Sequence, residues 1–504
     1  MSPSSGKKVV IIGAGPAGLT AAYQLCKAGI ASVVLEKDDV VGGLSRTVHH
    51  RGFHFDIGGH RFFTKVKAVE DMWHAVLGQD FLHRRRLSRI YYRKKFFSYP
   101  LKPANALFNL GVWNAVWILL SYLKARAFPG RLETTFEQWV SNRFGKRLYR
   151  IFFKTYTEKV WGIPCSEITA EWAAQRIKGL SLRTALTSAF MKRKHRDGSA
   201  TIKTLIDAFD YPRLGPGQMW ETVARTVREQ GTDLRLGTDV AAILWKPNRV
   251  TGILTDKDGR SEEIQGSHFV SSMPIRDLLQ RFVPAVPDGV LKAATSLNYR
   301  DFLTVALVVR QPDLFPDNWI YVHDPGVRLG RIQNFKNWSP EMVPDPRKTC
   351  LGLEYFCFEG DGLWSMSDRE LIDLGTREIE SLGLAKASDV EDGAVVRMQK
   401  AYPVYDSGYV EALGIVRGFT DRMENLQLVG RNGMHKYNNQ DHSMLTAMLA
   451  VRNILGGKHD LWGVNADQDY HEEVTGKERG VDDLGRVAPT QPQVPRRLEK
   501  SARH

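Results

Sequence analysis

At 504 residues, with 43% apolar and 25% charged side chains, the chain is ordinary globular material but too long for one hydrophobic core, so two or three interleaved lobes are expected. Its 70 basic against 56 acidic residues leave a charge of +14, which favours an anionic partner such as a nucleotide, a phosphosugar or an acidic membrane surface. Cys26, Cys165, Cys350 and Cys357 include no CxxC pair, so neither a disulfide framework nor a structural metal is expected, as in a reducing cytosol.

The start, MSPSSGKKVVIIG, lacks a signal-peptide pattern, and a cytoplasmic location follows as the expectation. Lys7 to Ile12 reads as a strand, Pro16 to Ala28 as a helix closed by Gly29, and Ser32 to Glu36 as a second strand, together one β-α-β unit. Arg84-Arg85-Arg86, Arg89, Arg93, Lys94 and Lys95 alternate with aromatic residues and predict a short basic hairpin. Such a face is commonly just solvated, but with Trp113 and Trp117 nearby it also suits peripheral contact with anionic lipid. No recognition module for nucleic acid accompanies the charge.

Asn105 to Phe128 predicts one long helix ended by Pro129-Gly130, and Phe136 to Tyr156 another, forming an inserted helical lobe. Its most apolar stretch, Gly111 to Leu120, is about half of the roughly 20 residues that span a bilayer. Asp239 to Ser272 alternates like strands around Asp258-Gly259, and there the chain returns to the cofactor sheet, with Val240 at the cofactor. Asn298 to Phe358 predicts a mostly antiparallel sheet. The expected organisation is a Rossmann-like segment over 1–104, a helical substrate lobe over 105–208, a return over 209–297, an antiparallel substrate-side sheet over 298–415, a last cofactor segment over 416–463, and a polar tail over 464–504 with too little apolar surface to order. The fold class is therefore α/β, α+β overall.

Gly13-x-Gly15-x-x-Gly18 follows a strand and opens a helix, where glycines permit a tight turn and close approach to a pyrophosphate at the helix N-terminus. Glu36 ends the next strand, where a carboxylate can accept hydrogen bonds from a ribose diol. Val41 to Arg46, with Gly43, Leu44 and Arg46, supplies bare backbone and a cation for an extended FAD rather than NAD. Gly430-Arg431-Asn432-Gly433 is a third glycine turn, followed by a helix from Ser443 to Ile454 whose N-terminus could stabilise charge on a reduced flavin.

These elements resemble the amine oxidase-like flavoprotein superfamily that includes protoporphyrinogen oxidases. Further strings resemble UDP-galactopyranose mutases: Gly58-Gly59-His60-Arg61-Phe62-Phe63, Tyr156-Thr157-Glu158-Lys159-Val160-Trp161-Gly162, Tyr402-Pro403-Val404-Tyr405, and Gly430-Arg431 through Lys436-Tyr437 to Asn439-Gln440-Asp441-His442. The resemblance implies an isomerase of nucleotide sugars, in the family that serves cell wall polysaccharide synthesis, in which N5 of reduced FAD acts as nucleophile on the anomeric carbon with no net redox change. NAD(P)H is the reductant it implies. It puts Gly59, His60, Asn439 and Gln440 at the flavin, Phe152, Tyr156 and Trp161 around the uracil ring, and Arg183, Arg331, Tyr405 and Tyr437 on the diphosphate, with His60, Arg183 and Arg331 catalytic. Read without it, His60 suits the end of a strand and the aromatics a helical core equally well. Asn438-Asn439 departs from the acidic pattern of short bacterial mutases, and Phe209 to Trp220 also resembles protoporphyrinogen oxidases. A net-redox flavoenzyme of oxidase or desaturase type is thus the alternative, and a non-catalytic flavin-binding protein the third reading.

Overall fold

Four consecutive buried residues, Val9 to Ile12, make β1 (Lys8–Ile12) a strand covered on both faces, as a parallel sheet requires. The computed structural model describes residues 6–99, 103–130, 132–170, 204–205, 208–465 and 473–474. Pro16 at its first position starts α1 (Pro16–Lys27), Gly29 at φ +67° ends it, and β2 (Ala31–Leu35) pairs parallel with β1, Val10 opposite Val33. A two-stranded ribbon, β3 (Thr47–His50) and β4 (Phe53–Asp56), and α2 (Lys67–Leu77) follow.

β5 (Phe81–Arg85) leaves the predicted basic hairpin: it pairs instead with a later strand, Arg84 opposite Phe209. The hairpin itself is β6 (Ser88–Tyr92) and β7 (Lys95–Ser98), with Arg93 and Lys94 both at positive φ in its two-residue turn. The single long helix expected next is two, α3 (Pro103–Leu110) and α4 (Val112–Ala127), broken at Gly111 with φ +81°. The second is interrupted at Gly145 between α5 (Phe136–Phe144) and α6 (Lys146–Leu148). A Cβ at Gly145 would lie 2.8 Å from the backbone of Ser121, so close docking of α4 dictates that break. The chain then widens into a π-helix over Tyr149–Lys154 before α7 (Thr155–Trp161).

After β8 (Thr204–Leu205) and β9 (Ala208–Pro212), α8 (Gly217–Glu229) leads into β10 (Asp233–Arg235). β11 (Asp239–Lys246), β12 (Arg249–Lys257) and β13 (Arg260–Gln265) build a separate sheet; β14 (His268–Ser271) returns to the parallel one. α9 (Ile275–Gln280), β15 (Phe282–Val283) and α10 (Asp288–Ser296) precede the long β16 (Tyr299–Val309), buried at every position. With β17 (Trp319–Val322), β18 (Arg331–Asn334), β19 (Thr349–Cys357) and β20 (Val390–Pro403) it forms a seven-stranded sheet ordered β20-β16-β19-β18-β17-β6-β7, antiparallel except where β17 meets β6. α11 (Phe335–Trp338) and α12 (Asp368–Ser381) pack near it, and α13 (Tyr409–Thr420) leads to β21 (Leu426–Leu428).

The parallel sheet is thereby complete in the order β10-β2-β1-β14-β21. α14 (Gln440–Ile454) starts three residues before the expected Ser443, because Asn439 caps it reciprocally with His442. In the segment expected to be a polar tail, Val464 is buried and Asn465 donates to Tyr437 O at 3.0 Å, while Glu473–Val474 pairs with β8; the remainder of that expectation falls outside the described residues.

Candidate active site and cofactor cleft

The three glycines of the first turn have different reasons to be glycine. A Cβ at Gly13, whose φ is +98°, would sit 2.2 Å from Ser272 Oγ, and one at Gly18 would sit 1.8 Å from Gly13 O. Packing within the protein demands both. At Gly15, φ is an ordinary −79° and the nearest atoms to a Cβ would be Gly43 Cα at 3.9 Å and Gly42 O at 4.0 Å. Among the described residues nothing excludes a side chain there.

Gly15 faces the second glycine turn, which is tied to the first by Gly42 N donating to Ala14 O at 2.9 Å. Two bare backbone turns at the N-terminus of α1 are the cradle a pyrophosphate needs, so the residues present fit a dinucleotide. Glu36 is almost fully buried; its carboxylate accepts from Ala14 N at 2.7 Å and Asp38 N at 3.0 Å, leaving lone pairs for a ribose. Burial raises its pKa while the two amides oppose that. Thr238 N donates to Glu36 O, which brings the buried Val240 beside this end of the cleft.

Arg46 ion-pairs with Asp38 at 2.7 Å, so its cation is partly neutralised within the protein. Leu44 packs against the group around Ile57 and Phe302. Gly430, at φ +81°, donates to Thr446 Oγ1 at 3.0 Å, and a Cβ on it would lie 3.1 Å from Ala17 of α1. Asn439 caps α14, and Gln440 Oε1 accepts from Trp220 Nε1 at 3.3 Å.

Deeper in, β4 delivers the Gly58-Gly59-His60 loop against β18 and β19. A Cβ on Gly59 would meet Gln333 Nε2 at 2.8 Å, and that amide donates to Glu354 Oε1 at 2.5 Å. Arg331 Nε lies 2.8 Å from Glu354 Oε2, an ion pair not aligned as a hydrogen bond, and Arg331 Nη2 donates to Tyr402 Oη at 3.4 Å. Burial opposes the Arg331 charge, and the fully buried Glu354 outweighs it and raises the pKa.

Tyr156 stacks on His323 at 4.6 Å and meets Tyr321 edge-on. Tyr402 stacks on Tyr437 at 5.6 Å, Trp161 packs against both, and Tyr437 N donates to Tyr405 Oη at 2.7 Å. Arg431 lies over the Tyr402 and Tyr437 rings while giving Nε to Asn438 O and Nη1 to Ala401 O. Burial first, then the charge of Arg431, hold the His60 pKa down at about 3, so its imidazole is neutral. His60, Tyr156, Arg331 and Tyr402 are enclosed yet each keeps some accessible surface, as residues lining an internal cleft do.

Of the expected aromatic wall, Tyr156 and Trp161 reach this cluster. Phe152 lies behind it: its ring packs on Phe97 and Tyr92 in the helical core and meets His323, the stacking partner of Tyr156, edge-on at 6.4 Å. Arg183 lies outside the described residues. Sequence reasoning missed Glu354 and Gln333, and held Tyr402 only as part of a resembling string, with no role at the site. A lone acid within the otherwise uncharged run of β19 signals a buried partner, and Gln333 is two residues from Arg331, hence on the same strand face.

The two motif lysines are anchors: Lys159 Nζ donates to Asp324 O and Leu329 O at 2.5 and 3.1 Å, and Lys436 Nζ to Trp462 O at 2.7 Å and Val464 O at 2.5 Å. Among the described residues no group of three or more His, Cys, Asp or Glu could hold a metal.

A pyrophosphate cradle on a parallel sheet, continued into a polar cleft under an antiparallel one, defines a dinucleotide-dependent flavoprotein of two interleaved parts. Residues 16–423 match the flavin containing amine oxidoreductases, and the chain belongs to that family of flavin-dependent enzymes. The fold is similar to that of reduced UDP-galactopyranose mutase, with a TM-score of 0.78 at 22% identity over 92% of this chain and all of that one. In sequence, the chain is 32% identical over 119 residues to an L-amino-acid oxidase of Crotalus adamanteus, a match spanning 20% of this chain and 22% of the relative. It is 24% identical over 307 residues to a 1-hydroxycarotenoid 3,4-desaturase of Flavobacterium sp., 58% of this chain and 62% of that one. The chain thus spans about a fifth of the length of the first of these curated relatives and less than two thirds of the second.

Proposed function

We propose that the protein is a nucleotide-sugar pyranose/furanose mutase working with reduced FAD, and that a UDP-sugar such as UDP-galactopyranose is its substrate. The observation that carries this is the charge of the deep site. His60 feels two guanidinium charges, from Arg431 and Arg331, while the carboxylate paired with Arg331 is the buried Glu354. Excess positive charge among tyrosine hydroxyls suits a diphosphate, repels an ammonium substrate and makes a costly bed for a hydrocarbon.

When bound, reduced FAD supplies the nucleophile that breaks and remakes the anomeric bond without net electron transfer. The chain's own part is to bind, orient and keep charge in place. Gly15, Gly42 and Gly43 receive the pyrophosphate, and Glu36 the ribose. Arg331, fixed by Glu354 through Nε and by Tyr402 through one Nη2 hydrogen, has further guanidinium hydrogens to give phosphate oxygens, and a fixed guanidinium loses little freedom on binding them. Burial pushes the Tyr402 hydroxyl up to about 12, so it stays a donor at neutral pH. The Tyr156 ring offers its face to a planar base. His60, held neutral, can accept or donate a hydrogen bond beside the reacting centre without adding charge.

The test is to incubate dithionite-reduced protein with a panel of nucleotide sugars. An isomer of unchanged mass, formed only after reduction, supports the proposal. Oxidised protein that removes hydrogen from an amine or an isoprenoid, with no isomer from any sugar, moves the reading to the net-redox class that the oxidase and desaturase relatives represent.

A further inference from the structure

α4 turns more of its large apolar side chains outward than inward. A surface helix ordinarily buries its apolar stripe and shows its polar one, yet no residue of α4 is buried. Its contact with the body is a mixed one: Ile118 packs on the helical core, while Arg147 Nη2 donates to Asn114 Oδ1 at 2.6 Å, Arg147 N donates to Ser121 Oγ at 3.2 Å, and Gly145 closes on the backbone of Ser121 and Tyr122. Trp113, Trp117, Leu120 and Leu123 occupy the opposite arc and are exposed, Trp113 by 81% and Trp117 by 57%. Phe108 before α4 and Phe128 after it extend the apolar surface, exposed by 88% and 80%. Contiguous patches of this kind on soluble proteins mark an interaction site.

The charge around the patch identifies the partner. From Asp80 to Glu133 no acidic residue intervenes, while eleven Lys and Arg do. Lys124 and Arg126 stand in the last turn of α4. The Arg93-Lys94 turn belongs to a hairpin held against α3, by Lys95 Nζ donating to Asn109 O at 2.7 Å and Asn109 Nδ2 donating to Phe96 O at 2.8 Å. Two copies meeting through this surface would set cations against cations with no carboxylate from the segment to relieve them. Among the described residues, no helix is long and apolar enough to cross a membrane. A 16-residue helix, about 24 Å long, can lie in the headgroup layer with its tryptophans at the interface.

We infer that α3 and α4 form a monotopic docking surface for an anionic lipid bilayer. The Arg93-Lys94 turn, with Lys124 and Arg126, supplies the electrostatic half of that contact, Arg84 and Arg89 being used within the protein on Trp338 O and Asp317, and the outward face of α4 supplies the apolar half. Because a single apolar or electrostatic signal gives only marginal attachment, the two together are what make it stable.

Flotation of the full chain with phosphatidylglycerol vesicles and with phosphatidylcholine vesicles tests this. The protein should float with the anionic vesicles, less so at high salt, and weakly or not at all with the neutral ones. Trp113→Ser/Trp117→Ser should bind phosphatidylglycerol at least about tenfold more weakly, with flavin absorbance and melting temperature unchanged, since both rings face outward. Absence of flotation with phosphatidylglycerol, or equal flotation of the double variant, overturns the inference. So does a lipid-free dimer in light scattering that the same double variant converts to monomer, which would make a second copy the occupant.

Discussion

Gly15→Ala separates what the fold needs from what the cofactor needs. The backbone there has φ −79° and ψ −173°, which alanine adopts freely, and its Cβ would find only Gly43 Cα at 3.9 Å and Gly42 O at 4.0 Å. The flavin-free protein should therefore keep its stability or gain about 0.4–1 kcal/mol, because alanine restricts the unfolded chain. Binding is expected to move the other way, since the methyl enters the space where a pyrophosphate would approach the backbone. A loss of at least about tenfold in FAD affinity, the worth of one charge-assisted hydrogen bond, should follow. Gly18→Ala is the contrast: its Cβ would overlap Gly13 O at 1.8 Å, so the fold itself should lose about 3 kcal/mol or more. Denaturant unfolding of the flavin-free proteins and FAD titration followed by flavin fluorescence give both quantities. Gly15→Ala protein that unfolds like the parent and retains stoichiometric FAD would refute the placement of the pyrophosphate.

Arg331→Ala strips the partner from a fully buried carboxylate and should cost about 3–5 kcal/mol in unfolding experiments, in addition to UDP affinity. Adding Glu354→Gln should restore most of the stability but not UDP binding by calorimetry; recovery of both would remove Arg331 from the diphosphate. Burial holds His60 and His323 at about 3 and His435 at about 4, each below the unfolded value of about 6.5, so the unfolded chain takes up protons first and stability is lost as pH falls from about 6.5 towards 4. Asp56, raised to about 7 by burial, works oppositely, its contribution being lost as pH rises towards 7. His435→Gln should flatten the acid slope by about 1.4 kcal/mol per pH unit in denaturant midpoints; an unchanged slope would show that His435 is not held neutral. Lys159→Met leaves the carbonyls of Asp324 and Leu329 without their ammonium donor and should lower the melting temperature while leaving flavin content intact.

The cofactor end was readable because its signals are local: strand, glycine turn, helix and Glu36 lie within 29 residues of one another in the chain, and each step has a steric reason. The deep site was less so. Arg331 and Glu354 are brought together by the register of β18 on β19, which no local pattern announces. Phe152 and Tyr156 sit one turn apart around a π-helix, and periodicity cannot say that one fills the helical core while the other stacks on His323. The break at Gly145 depended on how near α4 comes, a contact from residues twenty-odd positions away. For α4 the sequence showed a helix but not which face would meet the body, because apolar residues outward is the reverse of the usual rule.

The strand order of the parallel sheet also imposes a timetable. β1 and β2 are complete before residue 36, but β21 and α14, which cover the far edge of β14 and the flank of α1, come after residue 425. At ordinary synthesis rates roughly 20–80 s separate the two. During that interval the growing sheet has one side unpaired, first along β1 and, once residue 271 is made, along β14, an edge open to pairing with other chains, and the pyrophosphate turn lacks the Gly430 backbone that packs on Ala17. Flavin capture is therefore a late event in the life of each nascent chain, and a message truncated anywhere upstream of β21 yields a sticky intermediate instead of a smaller flavoprotein.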